Sequence, residues 1–108
     1  MKSYTDLKQS KKLAEILPLE SADMFYRDNG IDVKLMWEHN APKVESPCWS
    51  LAALLEILPK IVKHETLFIE TSASLWHIGY RNIYIARADN PIDAAFEMVV
   101  WLKENNLP

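Results

Sequence analysis

The chain has 108 residues, a formal charge of −3, and 49% hydrophobic against 25% charged residues, the balance of one domain that can build a core without staples. Its single cysteine excludes an internal disulfide, and the acidic balance argues against a nucleic-acid partner, which calls for a basic surplus. The polar start MKSYTDLKQSKK lacks the apolar centre of a secretory signal, and no apolar run is long enough to span a membrane, so the expectation is a single cytoplasmic domain over residues 1–108 with no membrane contact.

In chain order, the first predicted element is a helix from Asp6 to Leu17. Thr5 is placed to cap it and Asp6 suits the first turn. Leu7, Ala14 and Leu17 form its apolar stripe, with Leu13 and Ile16 at the flanks. Pro18 disfavours helical geometry at Leu17 and ends the helix. Lys8, Lys11 and Lys12 lie on this helix as a solvated basic face.

MFYRDNGIDVKLMWE then predicts two strands around Asn29-Gly30, a dipeptide suited to a tight turn with positive φ at both central positions. That turn sets Asp28 opposite Ile31, Arg27 opposite Asp32, Tyr26 opposite Val33, Met24 opposite Leu35 and Ala22 opposite Trp37. Met24, Tyr26, Val33, Leu35 and Trp37 then share one apolar face that something must cover. EHNAPKVESP follows as a polar linker too short to separate domains.

A second helix is expected from Leu51 to Leu58, capped by Ser50 and stopped by Pro59. Trp49 before the cap and Leu54 in the first turn have the spacing of a hydrophobic staple. Thr66 to Thr71, Leu75 to Ile78 and Ile83 to Arg87 are β-rich, with a turn at Gly79 to Asn82. The last helix is marked by Asn90 as cap, Pro91 in the first helical position and Asp93 in the first turn. Its face of Ile92, Ala95, Phe96, Val99 and Leu102 is widened by Met98 and Trp101. LAEILP at 13–18 matches LLEILP at 54–59 in five of six places. That match fits either a duplicated helix–hairpin unit or a helix ending used twice.

Three segments, SKKLAEILPLESADMFY, PCWSLAALLEILP and NPIDAAFEMVVWLKENNL, resemble parts of a family of small uncharacterised bacterial proteins often associated with prophages or other mobile elements. The resemblance covers the helices. It implies a small accessory protein and carries over no catalytic or ligand residue.

Cys48 at the mouth of the second helix raises the question of a reactive thiol, since a helix N-terminus can lower a thiol pKa. Catalysis would also need a base such as His39, His64 or His77 and a cleft. The alternative is a small apolar wedge beside Pro47 and Trp49. Positions 39, 48, 64 and 77 match no zinc spacing, so no metal is expected. Glu15, Glu56 and Glu97 sit within helices as solvent-facing charges. With only Gly30 and Gly79, a glycine-rich phosphate cradle is excluded and no cofactor is expected.

Four tryptophans are many for a domain this small, and tryptophan is enriched at binding hot spots. The fold class expected is α+β, an antiparallel sheet of four to five strands with three helices packed mainly on one face. The function expected is non-enzymatic: an interaction protein that binds a protein partner or forms a homodimer. Trp37, Trp76 and Trp101 are its candidate surface. The rival reading is a small-ligand binder or thiol-dependent enzyme with a pocket near Cys48 and His77.

Overall fold

A computed structural model describes residues 2–27, 30–33 and 47–107, with the backbone alone at Arg27 and at Gly30 to Val33. The chain is α+β and contains a four-stranded antiparallel sheet, as expected.

Helix α1 spans Leu7–Ile16. Asp6, not Thr5, caps it: the Asp6 carboxylate accepts from the Gln9 amide at 2.8 Å, and the Gln9 side chain accepts from the Asp6 amide at 3.1 Å. Thr5 is withdrawn into the core and fully buried. Its amide donates to the Trp49 carbonyl and its hydroxyl accepts from the Trp49 amide, both at 3.0 Å. The buried stripe of α1 is therefore Ser10, Leu13 and Leu17, while Leu7 is 52% exposed and Ala14 faces water. Ser10 meets the Thr5 hydroxyl at 2.8 Å, so both buried hydroxyls are satisfied.

The two LxEILP segments end their helices alike. Leu17 and Leu58 are extended cap residues, and their amides donate to the Leu13 and Leu54 carbonyls at 2.8 and 3.2 Å. Leu13 and Leu54 are fully buried in one core cluster. The prolines that follow supply no further amide donor, so the same six-residue pattern produces the same stop.

Strands β1 (Met24–Arg27), β2 (Gly30–Val33) and β3 (Pro47–Cys48) form a small sheet in the order β2-β1-β3. Its register is displaced by two from expectation: Arg27 pairs with Gly30, Tyr26 with Ile31, Phe25 with Asp32 and Met24 with Val33. Gly30 is thus a strand residue. A two-residue displacement preserves the alternation along the strands but changes each backbone partner, so Arg27 pairs with Gly30 and not with Asp32. The positions expected at 28–29 and at Leu35 and Trp37 lie outside the described residues. Phe25, on the other face, is buried, whereas Met24 and Tyr26 are half-buried.

Helix α2 spans Leu51–Ile57, with the Ser50 hydroxyl accepting from the Ala53 amide at 3.2 Å. Ser50 is held in turn by Asp23, whose carboxylate accepts from the Ser50 amide at 2.9 Å and from its hydroxyl. Trp49 and Leu54, the expected staple, are both fully buried in the core.

The larger sheet is a meander of β4 (Ile61–Val62), β5 (Glu65–Ser72), β6 (Leu75–Tyr80) and β7 (Tyr84–Ala88). Two of its turns hold non-glycine residues at positive φ: Lys63 and His64 at 47° and 71°, and Ala73 and Ser74 at 53° and 65°. Asn82, at φ 65°, turns the chain from β6 into β7, where the Ile83 amide donates to the Tyr80 carbonyl at 3.1 Å. Gly79 belongs to β6, not to that turn, and pairs with Ile85. A Cβ there would lie 2.3 Å from the Tyr84 carbonyl oxygen and 2.7 Å from the Ile85 Cα. Glycine is required because β7 approaches too closely for any side chain.

Helix α3 spans Pro91–Glu104, with the Asn90 side chain accepting from the Asp93 amide at 2.9 Å. It packs across β6 and β7. Ala94 and Ala95, both fully buried, let its backbone come close to the sheet. Lys2 joins the N-terminal segment to α3 through Asp93 at 2.8 Å and also reaches Asp6 at 3.0 Å. Burial lowers the Lys2 pKa, but its two carboxylate partners outweigh that and raise it overall.

Candidate functional site

The pairings of the larger sheet assign its two faces. Leu67, Ile69 and Thr71 of β5 share a face with Trp76, Ile78 and Tyr80 of β6 and with Tyr84, Ala86 and Ala88 of β7. This is the face that receives α3, since Ile78, Tyr80 and Ala86 are fully buried with Ala94, Ala95 and Met98. Tyr80 sends its hydroxyl to the Pro59 carbonyl at 2.5 Å, and burial pushes its pKa up to about 12.

Coverage fails along β5. Ile69 stands directly opposite Ile78 on the same face, yet Ile78 is 0% exposed and Ile69 is 44% exposed. Thr71, opposite Trp76, is open to water, and Trp76 and Leu67 are only half-buried. Ile69 and Trp76 thus form an apolar shelf at the distal half of the β5–β6 hairpin. The strained Ala73-Ser74 turn lies just beyond it. Such a shelf has no chemistry of its own. What it can do is pack against another apolar surface.

The sequence-predicted residues disperse. Trp76 stands on the shelf beside Ala88, close to the start of α3. Trp101 stacks on Tyr84 at 4.7 Å with the rings 3° from parallel. Tyr84 lies four residues before Ala88 along β7, about 13 Å of extended strand. The two indoles therefore occupy opposite ends of the sheet and make no common patch. The Tyr84 hydroxyl also donates to Glu97 at 2.5 Å, and that bond, with burial and the charge of the carboxylate, raises its pKa. Glu97 is accordingly a partner of the sheet, not a free solvent-facing charge. Trp49 is core, with its indole N–H donating to the Ser21 hydroxyl at 3.0 Å. Trp37 and His39 lie outside the described residues.

Cys48 is fully buried in β3, paired with Met24. It precedes the α2 cap by two residues and does not occupy the helix mouth. Burial, followed by the charge of Asp23, pushes its pKa up to about 11. His77 lies on the opposite face of β6 from Ile78, in the cross-strand row Glu70–His77–Arg87 of the larger sheet. Its Nε2 is 3.4 Å from the Ser72 carbonyl oxygen. Cys48 and His77 thus belong to different sheets. Among the described residues no group of three or more His, Cys, Asp or Glu side chains is placed to hold a metal ion. A cleft of about 30 Å³ lies between the C-terminal parts of α2 and α3, with Lys103 on its lining, space for a water or two and no more.

Sequence reasoning identified the strand that carries Ile69 but not Ile69 itself. The alternation of Leu67, Ile69 and Thr71 defines a face, and no local signal tells where the covering helix stops. Compared with protein-family models, curated proteins and solved structures, the chain matches none.

Proposed function

We propose that this chain is a small non-enzymatic interaction protein that docks an apolar segment of a protein partner on the shelf formed by Ile69 and Trp76. The observation that carries the reading is the 44% exposure of Ile69 opposite a fully enclosed Ile78. An isoleucine in a strand beside a sealed core position loses about 1–2 kcal/mol of burial by facing water, and a partner would recover it. The rival thiol chemistry is disfavoured by a Cys48 that is enclosed and protonated at neutral pH. The formal charge of −3 suits a protein partner better than nucleic acid. Among the described residues no helix is long and apolar enough to cross a membrane. In this reading the protein is a cytoplasmic accessory factor.

Ile69→Asp tests the reading. The variant should fold with a melting temperature within a few degrees of wild type, because the side chain is already wet. It should lose either a co-purifying protein that wild type retains or, if the partner is a second copy, the concentration-dependent mass seen by light scattering. A wild type that stays monomeric at every concentration, and that co-purifies with the same proteins as the variant, overturns the proposal.

A further inference from the structure

We draw no further inference here: the strongest candidate, the outer edge of β7 beside the stacked Tyr84 and Trp101 rings, carries nothing because nothing in the structure shows what covers it.

Discussion

Ile78 and Ile69 are the same residue type, in neighbouring strands, directly paired on one face of one sheet. One is sealed beneath α3 and the other is nearly half exposed. The side chain is not the cause of the difference. A strand's alternation decides which face a residue points to, and the element laid over that face decides whether water reaches it. The β6–β7 half has its cover in α3, whose buried alanines set a close approach. The distal β5 half presents Ile69 and Thr71 on that face, and both are open to water.

The sharpest way to break this comparison is Ile78→Ala. Removing a fully enclosed isoleucine side chain should cost about 2–5 kcal/mol, read from the midpoint of urea unfolding. A cost below about 1 kcal/mol would show that the β6 face is not sealed. Gly79→Ala attacks the same half through the backbone. The three atoms nearest its Cβ are main-chain atoms of β7, which cannot rotate away, so the loss should be about 2–3 kcal/mol. An unchanged melting temperature would mean that β7 stands farther off.

Alkaline pH probes the enclosed core. Cys48 is raised from its ordinary 9.0 to about 11, and Tyr80 from 10.0 to about 12. Both raised values mean that the folded state holds its protons longer than the unfolded chain does. The stabilisation is therefore complete below pH 9 and is lost as pH climbs through 9 toward 12. For Cys48 the two-unit difference corresponds to on the order of 2–3 kcal/mol. Thermal unfolding followed across that range should show the decline, and Cys48→Ala should flatten part of it. Native Cys48 should also resist a thiol reagent near neutral pH until the protein is denatured, and rapid labelling would contradict the enclosed site.

Smaller still is the effect of relieving the hairpin tip next to the shelf. Replacing Ala73 by Asn and Ser74 by Gly puts residues that accept positive φ where the turn demands it, and should stabilise by about 1–2 kcal/mol. A loss of stability would show that the turn is not strained as its dihedrals indicate. The smallest effect closes the comparison: Ile69→Ala should cost less than about 1 kcal/mol in the isolated chain. A cost equal to that of Ile78→Ala would erase the distinction between the two halves.

How far each feature was legible follows from the range of the force behind it. Asn90, Pro91 and Asp93 mark the start of α3 because a cap is decided within one turn. Ser50 and the Trp49–Leu54 pair mark α2 for the same reason. Thr5 looked like the α1 cap, yet its hydroxyl is taken by the Trp49 amide from a segment far along the chain, so Asp6 takes over. The Asn29-Gly30 signal located a hairpin and missed its register, since Gly30 belongs to β2 and pairs with Arg27. The turns at Lys63-His64 and Ala73-Ser74 carry no glycine or asparagine and so left no local mark. The abundance of tryptophan points to Trp76 and nothing local points to Ile69, because exposure is a property of the neighbours.

By itself the sequence determined the class of fold, the positions of three helices and the β-rich stretches between them. It also determined the identical stops after Leu17 and Leu58. These depend on caps, prolines and periodicity, which act over a few residues. Only the tertiary structure decided that Thr5 is core, that Gly79 lies in a strand under close backbone contact, that Trp76 and Trp101 are separated, and that Ile69 is left uncovered. Each of these is set by contacts outside the residue's own element, from the neighbouring strand at Gly79 to a segment 44 residues away at Thr5, and burial is counted against those contacts, not against the residue's own pattern.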